Sequence, residues 1–491
     1  MALSLPAKQR GILTPKESGK PAIHSPTRYG VHPGHPVLYR IPASGQRPMQ
    51  FSADRLPPGL TLDAHTGIIK GQGLSQGTYS ITLRATNSRG TAQKPFRIVA
   101  GDMLALTPPM GWSTWYMAFA DISDHLVRAQ AAAMISSGLA NHGYSYIDID
   151  DGWNTKLAKE GISGGEAGRD ASGNQKPNSQ FPDMKALADY VHGLGLKIGI
   201  YTSPGLRTCG GYEGSYGHEA QDADLFAQWG FDLLKYDMCS YGRMIKDRNN
   251  AAEVSKPYRL MGRQLRRQKR DMMYNLCEYG WANVPTWGKA VGGNFWRTAG
   301  DVGAAKNGLW ESMSRIGFGQ AGKEKWAGPG GWNDPDNILI GDIIWKKQLV
   351  PTPLTHNEQY TYMTLWSLLD APLVFGGDMT KLDDFTLSLL TNDEVIGVNQ
   401  DFLGKQAAPV YRSGDIEIWM KDLDGGAKAM GIFNRGENEK TVRVPWSQVG
   451  LKGQWQIRDL WRQRDLGRAD SKFGISVGEH GAALLALKAR T

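Results

Sequence analysis

Four aspartates, Asp150, Asp151, Asp237 and Asp301, stand at or just beyond the ends of short apolar runs that read as β-strands. A strand buried on both faces should be apolar, because an unpaired buried carboxylate is costly. Any one of these acids alone reads as a helix N-cap. Four of them over three strands, with Lys235 and Arg297 also near strand ends, read as a reaction site. Two carboxyl groups can split a glycosidic bond: one, ionised, attacks or activates water, and the other, protonated, assists the departing oxygen. Asp237 follows Lys235 by two residues, so both side chains project to one side of a strand. The nearby ammonium favours the carboxylate form that a nucleophile needs. Asp301, beyond Arg297 on a later strand, is the second candidate.

The elements that must position these acids alternate between strand and helix. Tyr144–Asp150, Lys197–Tyr201, Asp232–Asp237, Met273–Leu276, Asn294–Arg297 and Leu373–Phe375 read as strands. Helical stretches near Met184–His192, Asp222–Trp229 and Tyr360–Leu369 separate some of them. Such alternation over about 300 residues predicts an α/β fold, a parallel (β/α)8 TIM barrel whose C-terminal strand ends form the mouth of the site. A doubly wound open sheet is the alternative, but no Gly-rich phosphate fingerprint follows the first strand. Evenly spaced strand and turn signals before the barrel predict a small β-sandwich, and antiparallel strand signals after it predict a C-terminal β-sandwich. The expected domains are 27–101, 104–403 and 404–491.

With 491 residues, 41% hydrophobic and 21% charged, the chain has material for about three soluble domains. No apolar run reaches eighteen residues, so no membrane-spanning helix is expected. The net charge of +8 is a mild excess over 56 basic and 48 acidic residues. The basic run Arg263–Arg270 lacks interleaved aromatics and reads as the solvated face and end of a helix, so nucleic acid is not an expected partner. Three cysteines are too few for a disulfide scaffold; Cys209 and Cys239 could pair and leave Cys277 free. Closely spaced Cys/His ligands are missing, so no metal is expected.

The runs Thr107–Trp112, Ile149–Asp151, Lys197–Tyr201, Leu234–Asp237, Cys277–Glu278, Trp296–Asp301, Gly328–Asp336 and Val398–Asp401 together resemble glycoside hydrolase family 27, in order, over about residues 104 to 490. Leu56–Asp63, Gly67–Gly71 and Ala85–Asn87 resemble the immunoglobulin-like modules found beside bacterial glycosidases. The family consists mainly of α-galactosidases and α-N-acetylgalactosaminidases, with minor members acting on β-L-arabinopyranosides and isomaltose units. The resemblance implies a retaining double displacement on a carbohydrate substrate without a cofactor, with Asp237 as nucleophile and Asp301 as acid/base, roughly 5–6 Å apart. It implies further that Asp150 and Asp151 accept from the 4- and 6-hydroxyls and that Lys235 binds the 3- and 4-hydroxyls. Arg297 would bind the 2-hydroxyl, Trp115 and Tyr201 line the subsite, and Asp336 hold the acid/base side. Cys209 and Cys239 match a family disulfide that would brace the loop beside Asp237.

Glu278 stands where N-acetylgalactosaminidases carry a small hydroxyl residue, which favours galactose; Asp150 is what a 6-hydroxymethyl sugar needs. The chain departs from the family at Gly152, where many members have cysteine, and at Asn337, where many have methionine. The Gly-rich segment from Asn154 to Pro182 reads as a lid or a plain surface loop, and Tyr279 and Trp281 as subsite walls or ordinary packing. Residues 1–40 carry no apolar signal core. The chain is expected to be secreted or periplasmic with its signal peptide absent from this sequence, the cytoplasm being the alternative. Oligomeric state is not legible. A barrel that binds sugar without cleaving it is the competing reading, and the presence of both acids argues against it.

Overall fold

Eight short parallel strands form the centre of the computed structural model, which describes residues 11–157, 168–304 and 306–489. They are β1 (Met110–Ser113), β2 (Tyr146–Asp148), β3 (Lys197–Thr202), β4 (Leu233–Asp237), β5 (Met273–Cys277), β6 (Phe295–Arg297), β7 (Trp332–Asp334) and β8 (Leu373–Phe375). Strands β1 to β7 pair in sequence order, and β8 lies beside β1. The ring closes where Ile338, just past β7, donates its N–H to Val374 O at 2.8 Å and accepts from Gly376 N at 3.0 Å. The predicted barrel is therefore present; β2 ends at Asp148, so Asp150 and Asp151 lie in the loop after it, while β3 and β5 each run one residue past the apolar runs read from the sequence. Strands β1 and β7, not singled out as strands in the sequence, complete the ring.

Helices Asp124–Ser136, Met184–Gly193, Glu219–Trp229, Ala251–Leu265, Leu309–Phe318 and His356–Leu368 cover the ring, followed by Asp384–Leu390 and Asp393–Asn399 after β8. Side-chain oxygens of Ser123, Asp183, Asn250 and Thr355 cap four of them. The crossover after β5 departs from the regular pattern. Two 3₁₀ turns, Trp281–Thr286 and Lys289–Val291, replace an α-helix there, and Pro285 inside the first removes a helical donor. The basic run ends the helix Ala251–Leu265 as expected, with Arg263, Arg266, Arg267 and Lys269 exposed.

The N-terminal module is a sandwich of a four-stranded and a three-stranded sheet. Its longest pairing, Gly77–Asn87 with Gly90–Ala100, includes a strand hidden in the sequence by Pro95. Pro95 is tolerated because Arg28–Val31 covers that strand only at residues 97 to 100, leaving Pro95 on a free edge. The module docks on the end of the barrel where strands begin: Lys197, the first residue of β3, donates to Tyr29 Oη at 2.8 Å, and Arg40 donates to Leu194 O at 3.1 Å. It therefore covers the end opposite the acids.

At the C-terminus a six-stranded antiparallel sheet and a two-stranded one enclose their own apolar core. Helix His356–Leu368, buried on all sides, packs between this sandwich and the barrel. A fully buried Lys421–Asp370 ion pair, with Lys421 Nζ also on Val398 O at 2.8 Å, locks the joint. Among the described residues no helix is long and apolar enough to cross a membrane. The suggested lid falls partly on residues 158–167, outside the described residues. Its remainder is pinned by the buried Arg169, which donates to Asp222 at 2.7 and 2.9 Å and to Gly214 O at 2.7 Å.

Candidate active site

Strand alternation sends Lys235 and Asp237 toward the barrel axis while Tyr236 packs outward against Tyr258. Asp237, the last residue of β4, is only 7% exposed. Its Oδ2 accepts from Tyr201 Oη at 3.0 Å and its Oδ1 from Tyr279 Oη at 2.6 Å. Burial raises the Asp237 carboxyl above the usual range; the Lys235 ammonium and the Tyr279 hydrogen bond oppose that rise, and the charge of Asp301 adds to it. The two candidate catalytic acids are thus electrostatic neighbours.

On β2's side, Lys235 Nζ donates to Asp150 Oδ2 at 2.6 Å. Asp150 donates its N–H to Thr114 Oγ1 at 2.9 Å, and its Oδ1 accepts from Asp151 N at 2.8 Å. Asp151 Oδ2 accepts from Gly210 N at 2.6 Å, while its Oδ1 is buried without a partner among the described residues. A buried carboxylate oxygen left open at a barrel mouth is a natural acceptor for a ligand hydroxyl. Burial, then the charges of Asp150 and Asp237, push Asp151 up to about 7. Gly152 follows with φ +115, and a Cβ there would meet Ala120 Cα at 2.9 Å, so the cysteine of many relatives would not fit this backbone. Trp115, on the short helix after β1, is half-buried and edge-on to Phe119, directly after the Thr114 that holds Asp150.

Arg297 organises the other side. Its guanidinium donates to Asp301 Oδ1 at 3.0 Å and pairs with Asp336 Oδ1 at 3.1 Å. Asp301 is the open member, with 40% of its side chain exposed. Asp336 is 3% exposed, with φ +97 in the left-handed region. Such a backbone costs on the order of 1–3 kcal/mol and persists where surroundings over-determine it. Here they do: Asp336 Oδ2 accepts from Tyr116 Oη at 3.0 Å and from Val302 N at 2.8 Å, fixing the residue next to Asp301. Burial, opposed by Arg297, pushes Asp336 up to about 6.

Cys209 and Cys239 form a disulfide that joins the loop after β3 to the residue two past Asp237. It places Gly210 against Asp151 and puts Cys239 Sγ 3.1 Å from Tyr201 Oη. Cys277 is free and buried. Glu278 is fully buried, with Gly280 N on Oε1 at 3.3 Å and Oε2 unpartnered among the described residues; burial drives its carboxyl well above the usual range. All ten non-cysteine residues singled out in the sequence thus gather around the C-terminal strand ends. Sequence reasoning missed Tyr116, Thr114 and Gly210. It left Tyr279 between subsite and packing; the left-handed turn there, φ +62, accompanies the 2.6 Å hydrogen bond that makes it a partner of Asp237. Asn337 lends its carbonyl to Tyr362 Oη at 2.5 Å and lines a small cavity of about 30 Å³ beneath the site.

Asp148 lines the same cavity, buried, with Oδ1 unpartnered among the described residues. Burial and then the charge of Asp150 push it up to about 8. Its unfolded value is about 4, so the folded chain holds the extra proton in between, and stability is lost as pH rises from about 4 toward about 8. Asp148→Asn carries no charge to bury. We expect its Tm to exceed the parent's by roughly 3–5 °C at pH 8, with a smaller gap at pH 5, in thermal unfolding scans. A gap independent of pH would show that Asp148 is not held protonated.

A family model described as alpha galactosidase A matches residues 107–401, one for the alpha galactosidase C-terminal beta sandwich domain matches 413–487, and an Ig-domain model matches 20–101. The alpha-galactosidase of Cyamopsis tetragonoloba is 38% identical over 400 residues, covering 80% of this chain and 89% of that protein. A crystal structure from Bacteroides fragilis, assigned as an alpha-galactosidase, matches with a TM-score of 0.87 and 38% identity over 96% of this chain and 98% of that one. Alpha-galactosidase I of Mortierella vinacea matches with a TM-score of 0.69 and 29% identity, over 79% of this chain and 98% of its own.

Proposed function

The chain belongs to the alpha-galactosidase family, glycoside hydrolase family 27, and on that premise we propose that Asp237 is its nucleophile and Asp301 its acid/base. It is a retaining α-galactosidase that releases terminal, non-reducing α-linked galactose. One observation carries the assignment of roles: Asp237 is clamped by two phenolic hydroxyls beside an ammonium, while Asp301 stands open on the Arg297 guanidinium. The first is preorganised to carry charge, and the second is free to exchange protons with a leaving group and then with water.

In this reading Asp237 Oδ attacks C1 of the galactose, the C1–O bond breaks, and Asp301 gives its proton to the departing oxygen. A β-galactosyl ester on Asp237 results. Asp301, now ionised, takes a proton from water, whose oxygen attacks C1 and frees Asp237 with α-galactose as product. The open Oδ1 of Asp151 and the Lys235–Asp150 pair receive the 4- and 6-hydroxyls, Lys235 also reaches the 3-hydroxyl, and Arg297 reaches the 2-hydroxyl. Trp115 and Tyr201 line the subsite. Buried Glu278 fills the space an acetamide would need. The chemistry lies within residues 104–403. The disulfide supports a secreted or periplasmic location, since such bonds persist in oxidising compartments.

A panel of nitrophenyl glycosides tests the sugar: α-galactoside should be cleaved fastest. A clear preference for α-N-acetylgalactosaminide, β-L-arabinopyranoside or an isomaltose substrate would contradict the reading.

Tyr279→Phe removes the hydrogen bond that lowers the Asp237 pKa. Asp237 must be ionised to attack, and its folded pKa would rise further, so the acid limb of the kcat/KM profile should move to higher pH. We expect a loss of about tenfold at the optimum, a value in keeping with one hydrogen bond to a charged group. An unmoved acid limb would remove Tyr279 from the account.

A further inference from the structure

His24, His142 and Asp393 are far apart in the chain and meet at the end of the barrel away from the acids. His24 lies in the N-terminal arm, His142 ends the 3₁₀ turn Leu139–His142 that leads into β2, and Asp393 opens the helix Asp393–Asn399. His24 Nδ1 is 3.0 Å and His142 Nδ1 2.9 Å from the same oxygen, Asp393 Oδ1. The two rings stack with centroids 5.1 Å apart and planes 23° from parallel. We propose that these three residues form a binding site for a divalent cation of the zinc type, held by both Nδ1 atoms and the Asp393 carboxylate.

The geometry is near what such an ion needs. All three ligand atoms lie within 4.8 Å of one another. Zinc bonds of about 2.0–2.1 Å in a tetrahedron set ligand atoms about 3.3 Å apart, so each nitrogen–oxygen separation need open by only a few tenths of an ångström. The far nitrogens are already engaged. His24 Nε2 is 2.8 Å from Ser44 Oγ, and His142 Nε2 is 3.3 Å from Glu17 Oε1. Outer partners of this kind fix ring orientation and leave the inner nitrogen's lone pair for a metal. The histidine side chains are 11% and 7% exposed, while Asp393 at 26% leaves a side open for a fourth ligand. An adjoining cleft of about 700 Å³, lined by Glu17, Ser44 and His142, gives an ion a path in. Lys94, the nearby cation, is held on Ile23 O at 3.0 Å. Two imidazoles and one carboxylate suit zinc better than calcium or magnesium, which prefer all-oxygen sets.

A similar group, His32, His35 and Asp271, also lies at the module's docking face, with both Nδ1 atoms on Asp271 Oδ1 at 2.6 and 2.8 Å. It faces a cleft shared with Arg266 and Arg270, whose charges oppose a cation. The His24 site has the carboxylate of Glu17 in that place. A metal there would tie the arm carrying Glu17 and His24 to the turn before β2 and to the last barrel helix, so its effect should fall on stability and not on catalysis.

The test uses the full chain, stripped with a chelator and titrated with zinc chloride by calorimetry, with Tm followed in parallel. We expect one ion per chain and a rise in Tm on adding zinc that EDTA reverses. Asp393→Asn keeps the shape and the hydrogen-bond acceptor, and should weaken binding at least a hundredfold. His24→Gln should do the same, and Asp271→Asn should leave binding unchanged. If Asp393→Asn does not fold, the parent titration and His24→Gln decide. No binding by the parent at micromolar zinc would overturn the proposal, and so would binding that survives His24→Gln and Asp393→Asn but is lost in Asp271→Asn.

Discussion

Asp237→Ala should lower kcat/KM on nitrophenyl α-galactoside by roughly 10⁴-fold or more while leaving the chain folded, since covalent catalysis through that carboxylate carries the first step. Folding should survive because the native site holds Asp237 against a burial cost, and the alanine removes that cost. Tyr201 and Tyr279 remain to line a space of carboxylate size, which a small anion can enter. Azide should therefore restore turnover, attacking C1 from the vacated face with a single inversion. The product would be β-galactosyl azide, identified by NMR. Activity within about tenfold of the parent, in a variant with the parent's Tm, would mean that another group attacks C1.

Asp301→Ala should separate substrates by their leaving groups. A nitrophenolate departs without a proton, so formation of the galactosyl-enzyme should persist and the ester should accumulate as a burst. A galactoside whose leaving group is another sugar needs the proton, and its kcat/KM should fall by roughly 10³-fold or more, toward the upper range for general acid catalysis. The partial exposure of Asp301 means that water and small anions reach the intermediate from its side. Azide should now yield α-galactosyl azide, because the ester on Asp237 is displaced with a second inversion. Opposite azide anomers from the two variants would separate nucleophile from acid/base. The same anomer from both would show that the roles are misassigned.

The barrel was legible because a few strands carry unmistakable apolar runs, Lys197–Thr202 and Leu373–Phe375 among them, and helices of the expected period follow. Strands β1 and β7 were hidden: each has three or four residues, enters from Pro108-Pro109 or Gly330-Gly331, and contains polar residues that face the axis. The C-terminal strand Arg464–Ala469 was masked by charges on its exposed face, and Gly90–Ala100 by Pro95. The acids were legible for a topological reason. In a parallel barrel every strand end points to one rim, so an Asp at any of them is near the others without further information. What pairs with what is a tertiary matter. Arg297 bridging Asp301 and Asp336 depends on a left-handed turn at an aspartate, and no local preference announces it. The His24–His142–Asp393 group was invisible to a search for closely spaced ligands, since 251 residues separate His142 from Asp393.

Double displacement at C1 has one signature that no other part of the account shares. Proton NMR of the hydrolysis of nitrophenyl α-galactoside, read in the first minutes before mutarotation, reports the anomer released. Attack by Asp237 followed by water activated by Asp301 predicts α-galactose first, with the β signal growing in later. β-Galactose appearing first would mean a single displacement by water and would contradict a covalent role for Asp237.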